Sequence, residues 1–255
     1  MYRYLKMGYD IPPISTYNLL LGVSMIAFFL SLEKVIRKNA ISFQQAEGIK
    51  IMAVYSAGFG VLGAALGEAI YHRTENGLSF SGFTFYGGLV MSILSLWIQT
   101  RMRKANFFHV ANILTLPLIL AHAFGRIGCF LGGCCYGSPT TSIFGVTFPE
   151  GSLPFLQYGD QALHPIQLYE SVLLFALAFL VSDLKLSFRA SVYLIIYPII
   201  RFVLEFYRAD DRGVLFSKFF SPSQEISIGL FLFGIGILSM EIKKSNSNQK
   251  TVALK

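Results

Sequence analysis

Ile113-Leu114-Thr115-Leu116-Pro117-Leu118-Ile119-Leu120-Ala121-His122-Ala123-Phe124 runs straight into Gly125-Arg126-Ile127-Gly128-Cys129-Phe130-Leu131-Gly132-Gly133-Cys134-Cys135-Tyr136-Gly137. The first half belongs to an apolar run, 107–124, of the length needed to cross a bilayer, which takes about 20 residues. The second half carries five glycines, one arginine and all three cysteines of the chain. Glycines let a backbone turn its N–H groups toward one point, and such concavities suit anions. Arg126 adds a planar, permanently charged fork that matches phosphate oxygens. The plainer reading is a tight turn ending a membrane helix, with Arg126 snorkelling to a headgroup.

Working outward, the same kind of apolar run recurs. Candidate spans fall at 15–33, 50–71, 84–101, 107–124, 165–182, 188–207 and 224–241, two of them holding Pro117 and Pro198. The chain is 54% hydrophobic and 14% charged, against about 25% charged in soluble domains. These observations predict an all-α integral membrane protein of about seven transmembrane helices, a single polytopic domain over 1–255. The N-terminal run resembles a signal peptide but lacks a small-residue cleavage pattern, so it reads as a retained first span. Gly60, Gly63 and Gly67 in the second span suit close helix packing.

The net charge of +7 is a matter of orientation, not of nucleic acid. Segments 34–50, 101–104, 183–189 and 243–255 hold thirteen Lys and Arg; the opposite segments hold seven, and Arg201 lies within a span. The richer side is expected to be cytoplasmic. That puts the N-terminus outside, the C-terminus inside and residues 125–137 at the outer leaflet. Residues 138–163, rich in proline and aromatics, are expected to form a small periplasmic cap.

Polar groups inside spans are costly and count as functional candidates. Arg201, Glu205 and Arg208 share one helical face; they either hold helices in register or leave a positive charge for an anionic headgroup. His164-Pro165-Ile166-Gln167-Leu168-Tyr169-Glu170 opens the fifth span, where Gln167 and Glu170 either face the site of Arg126 or merely cap the helix. Tyr86-Gly87-Gly88 reads as an interfacial tyrosine beside two glycines that admit a helix or a lipid. Glu68 and His122 fit within the bundle. Cys129, Cys134 and Cys135 admit a disulfide, a reactive thiolate lowered by Arg126, simple packing, or a zinc site with His122 or His164, although the spacing matches no standard zinc pattern.

Gly125-Arg126-Ile127-Gly128, His164-Pro165-x-Gln167-Leu168-Tyr169-Glu170 and Arg201-Phe202-x-x-Glu205-Phe206-x-Arg208 together resemble the bacterial prolipoprotein diacylglyceryl transferases. The resemblance covers most of the chain. It implies transfer of a diacylglyceryl unit from phosphatidylglycerol to the cysteine thiol of a prolipoprotein signal peptide, in the bacterial inner membrane, with glycerol phosphate released and no metal or other cofactor. Arg126 matches the essential arginine of the family, and Arg201 with Glu205 its later polar pair. The departures are as informative. Tyr86-Gly87-Gly88 stands where the family has His-Gly-Gly, Ala65 where it has an arginine, and Cys129, Gly132 and Cys134 where it has two asparagines and a glutamate.

The expected catalytic set is Arg126, Arg201, Glu205 and His164, with His164 or Glu170 receiving the thiol proton. The expected lipid-binding set is Tyr86, Gly87, Gly88, Gly128, Cys129, Gly132, Gly133, Cys134, Gln167, Glu170 and Arg208. Two alternatives stand beside this reading. One is a divergent transferase with another acceptor or a cysteine-linked intermediate; the other is a non-catalytic lipid-binding membrane protein.

Overall fold

The computed structural model describes residues 4–5, 14–73, 83–209 and 219–253, with side chains described over 17–66, 87–209 and 219–246. The expectations for the side chains of Tyr86 and Glu68 lie outside these residues.

Apart from a two-residue antiparallel pairing of Tyr4–Leu5 with Ile14–Ser15, the regular structure is helical. The helices are α1 (Thr16–Lys38), α2 (Phe43–Arg73), α3 (Phe83–Met102), α4 (Phe107–Leu131), α5 (Leu153–Tyr158), α6 (Ile166–Asp183), α7 (Arg189–Glu205) and α8 (Pro222–Ala253). By length and composition, α1, α2, α4, α6, α8 and the segment Leu186–Glu205 are able to cross a membrane. The 20-residue α3 falls where the third span was expected. The protein is an all-α, multi-pass membrane protein.

Central in the bundle are α4 and α6, which are more enclosed than the other spans. Around them α1 packs on α4, α2 on α3 and α7 on α8. The core is aliphatic: Leu32 of α1, Ile113 and Ile119 of α4 and Leu174 and Val181 of α6 are all fully buried. Phe179, Leu30 and Val61 point outward and exposed, as a lipid-facing surface requires. Polar atoms inside the bundle are tied to backbone. Asn112 Oδ1 accepts from the N–H of Ala190 at the start of α7, at 2.8 Å, and Ser171 Oγ donates to the carbonyl of Ala123 at 2.9 Å. Pro198 frees the carbonyl of Leu194 in α7, and Gly234 of α8 lies against the Leu194 backbone, where a Cβ would come within 2.9 Å of its carbonyl carbon.

One boundary differs from the expectation in a way that moves the site. The fourth span was expected to stop at 124, yet α4 continues through Gly125, Arg126 and Gly128 to Leu131. Gly128 serves packing rather than a turn, while a Cβ at Gly125 would meet nothing within 4 Å. A Cβ at Gly128 would sit 3.2 Å from Leu20 Cβ of α1, so the missing side chain lets α1 approach α4.

After α4 the chain forms a small ordered cap. The Pro139, Val146 and Leu163 backbones make short antiparallel bridges. Phe130, Phe148 and Leu163 form a second buried cluster beneath, with Tyr136 and Tyr158 packed on it. Ser152 caps the short α5, with Pro154 in its first turn.

Candidate functional site

Arg126 lies about one and a half turns inside the C-terminal end of α4, its side chain 14% exposed, and Nη2 is 3.0 Å from Oε1 of Glu170 on α6. Glu170 is 1% exposed and is shared by three groups. The hydroxyl of Tyr197 on α7 donates to the same Oε1 at 3.0 Å, and His122 Nε2, one turn before Arg126, is 3.6 Å from it. The His122 ring meets that of Tyr197 edge-on at 5.1 Å. The site is therefore assembled from three helices on one carboxylate. Gln167, one turn before Glu170, donates through Nε2 to the carbonyl of Cys134 at 2.5 Å.

A second polar cluster closes α7. Arg201 Nη2 is 2.5 Å from Glu205 Oε2, and Arg208 Nε is 3.9 Å from the same oxygen. Two hydroxyls at the entry to α8 join it: Arg201 donates to Ser223 Oγ at 3.1 Å, and Ser221 Oγ donates to Glu205 Oε1 at 2.9 Å. Arg201 also lies within electrostatic reach of Glu170 and Tyr197, so the two clusters form one polar region. Two guanidinium nitrogens in it, Arg126 Nε and Arg201 Nη1, are buried without a hydrogen-bond partner among the described residues. The acceptors Gln167 Oε1 and Glu205 Oε2 are likewise buried without a hydrogen bond, although Glu205 Oε2 lies against Arg201.

The glycine-rich backbone does something other than face an anion. The N–H groups of Gly132, Gly133 and Cys134 donate to the carbonyls of Gly128, Phe130 and Cys129, closing the helix end. That end also carries the negative pole of the α4 dipole. Gly87 and Gly88 lie along the α2–α3 seam; a Cβ at Gly88 would meet the carbonyl of Gly60 at 3.0 Å.

His164 stands away from the zinc role considered for it. Its Nδ1 is 3.3 Å from Tyr169 Oη and its ring meets Tyr207 at 5.3 Å. With His122 held at Glu170, neither histidine joins the cysteines. The three thiols are free and half-buried, and their sulfurs lie within 4.8 Å of one another. The neighbouring thiols of Cys129 and Cys134, with Arg208 and Arg126 behind them, hold the Cys135 thiol well below the usual cysteine range. The corresponding contacts push Cys134 up.

Tyr197, Ser221 and Ser223 were not singled out from sequence. A tyrosine or serine in an apolar stretch carries no charge to mark it, and only the approach of α6, α7 and α8 gives these hydroxyls partners. A cavity of about 250 Å³ runs between α7 and α8, lined by Pro198, Ile199, Phe202, Val203, Ser227, Ile228 and Phe231. Another, of about 420 Å³, is lined by Trp97, Thr100, Arg101 and residues 105–108, at the far end of α4, about 28 Å along the helix from Arg126.

The sequence model for prolipoprotein diacylglyceryl transferase matches residues 7–240. A Clostridium perfringens (strain 13 / Type A) protein named phosphatidylglycerol–prolipoprotein diacylglyceryl transferase 2 is 33% identical over 254 residues, covering 93% of this chain and 94% of the relative. Similarly named proteins of Clostridium tetani (strain Massachusetts / E88) and Chlorobaculum tepidum are 35% and 34% identical over 166 residues each. These matches cover 63% and 62% of this chain, and 65% and 55% of the relatives. With the match running through α4, α6 and α7, which carry the buried arginines and their carboxylates, the chain belongs to the prolipoprotein diacylglyceryl transferase family.

Proposed function

We propose that this protein transfers the diacylglyceryl group of phosphatidylglycerol to the cysteine thiol of a prolipoprotein signal peptide, at the outer face of the bacterial inner membrane. One observation carries the reading: two buried guanidinium groups, Arg126 and Arg201, each keep a donor with no hydrogen-bond partner among the described residues. A phosphodiester offers anionic acceptor oxygens to both. The apolar groove between α7 and α8, next to Arg201 in sequence and space, suits an acyl chain.

The reaction is a displacement at a glycerol carbon. The thiolate forms the C–S bond as the C–O bond breaks, and the electron pair goes to the departing phosphate oxygen. Negative charge grows on that phosphate, so donors fixed beforehand lower the barrier more than they tighten binding. Arg126 and Arg201 act there. Glu170 and Glu205 position them, Arg208 extends the positive field, and His164 is the candidate acceptor of the thiol proton. Gly87, Gly88, Gly128 and Gly132 contribute by letting helices close around the lipid. Gly133, Cys129, Cys134 and Gln167 shape the loop on the acceptor side, and His164 passes the thiol proton on to solvent.

The test is transfer from phosphatidylglycerol to a lipobox peptide by purified protein in lipid nanodiscs. Arg126→Ala and Arg201→Ala should each lower kcat by roughly 10²–10³-fold, the cost of removing one preorganised donor. Wild-type rates from an Arg126→Ala protein would overturn the assignment.

A further inference from the structure

The loop that follows α4 is shaped to bring three sulfurs together. Gly133 and Cys135 have φ of +68° and +60°, a left-handed conformation that L-residues with a Cβ rarely adopt. Cys135 is one of only three non-glycine residues in this conformation among the described residues. The Cys134 N–H donates to the Cys129 carbonyl at 3.1 Å, and Gln167 holds the Cys134 carbonyl from α6. The backbone is thus fixed from both sides. The sulfurs of Cys129, Cys134 and Cys135 end within 4.8 Å of one another, and all three residues remain partly open to solvent.

Three converging thiols are the donor set of a soft cation. A tetrahedral zinc site, with Zn–S near 2.3 Å, sets its sulfurs about 3.8 Å apart. Closing from 4.8 Å asks for movements of no more than about 1 Å in side chains. Three thiolates with a divalent cation leave one negative charge. Arg126 lies within electrostatic reach of Cys129 and Cys135, and Arg208 within reach of Cys135. No histidine completes the set: both nearby candidates are engaged elsewhere. Three protein ligands and an open fourth position mark a working metal site, in contrast to the closed four-ligand sites that serve structure.

We propose that Cys129, Cys134 and Cys135 bind a thiophilic divalent cation such as Zn²⁺, and that its fourth position takes the sulfur of the acceptor cysteine. The second half rests on the transferase reading above. A coordinated thiol loses its proton to solvent outright, and the resulting thiolate attacks the glycerol carbon while the phosphate leaves with the C–O electron pair. The cation thereby supplies the activation of the acceptor thiol. Direct transfer is also the simpler chemistry. A diacylglyceryl group parked on one of the three cysteines would be a thioether, whose thiolate is a poor leaving group.

The experiment is titration of reduced, nanodisc-embedded protein with Cd²⁺, followed by its thiolate charge-transfer absorption. Wild type should saturate at one equivalent, each Cys→Ser variant should bind at least tenfold more weakly, and the triple variant should not bind. A lipobox peptide with a free cysteine should raise the band by about a third, as three thiolates become four; its serine analogue should not. Absence of saturable binding, binding retained by the triple variant, or only one free thiol in protein isolated without reductant would overturn the site. A cysteine peptide that leaves the spectrum unchanged would overturn the open position. Cation binding with no transfer from phosphatidylglycerol would sink the transferase reading and leave the site standing; transfer by the triple variant at wild-type rates would do the reverse.

Discussion

Glu170 receives a guanidinium, a phenol and an imidazole at one end of its carboxylate, with 1% of its side chain exposed. Removing one member of a buried charge pair strands the other, at a cost of about 3–5 kcal/mol. Glu170→Ala should therefore lower the thermal midpoint in detergent markedly, whereas Tyr197→Phe, losing one hydrogen bond to a charged group, should cost about 1.5–3 kcal/mol. If Glu170→Ala melted no earlier than Tyr197→Phe, the carboxylate would not be the hub described. Arg201 and Glu205 stood out in the sequence because a charge inside an apolar run has to be accounted for, and Arg126 because it is the one charge in a stretch of glycines and cysteines. Tyr197 was not, since a phenol among Ile196, Pro198 and Ile199 looks like any other large apolar side chain until α6 brings a carboxylate to it.

Helices were legible for the same kind of reason: an apolar run of spanning length has few alternatives once the backbone must satisfy itself. Their ends were harder. Gly125 and Gly128 read as the start of a turn, yet α4 runs through both, and at Gly128 α1 takes the space that a side chain would fill. The N–H groups then close a helix instead of cradling a phosphate, and recognition falls to side chains. The α2–α3 seam offers a clean comparison. A Cβ at Gly63 would lie 2.7 Å from Met91 Cβ, while one at Gly58 meets nothing within 4 Å. Gly63→Ala is expected to destabilise by about 1–3 kcal/mol through overpacking, whereas Gly58→Ala should be neutral or gain up to about 1 kcal/mol in helix propensity. Chemical unfolding of the two variants side by side distinguishes them; equal midpoints would contradict the seam.

Across the whole molecule, basic residues collect at alternate ends of the helices: Arg101 in the last turn of α3 with Arg103 and Lys104 after it, Lys185 before α7 and Arg189 at its start, Lys243 and Lys244 within α8. With the cytoplasm at that end, green fluorescent protein fused after residue 104 or at the C-terminus should fluoresce. Alkaline phosphatase fused at residue 160, in the cap, should be active. The opposite pattern would invert the bundle and place the arginine region at the wrong membrane face. One further consequence follows from α6. Gln167 grips the sulfur-bearing loop and Glu170 grips Arg126, and three residues of α-helix advance about 4.5 Å along the axis. In the proposed reaction a single rigid rod therefore gauges the gap between the thiol's arrival and the phosphate's departure, and helical pitch serves as the jig in which nucleophile and leaving group are aligned.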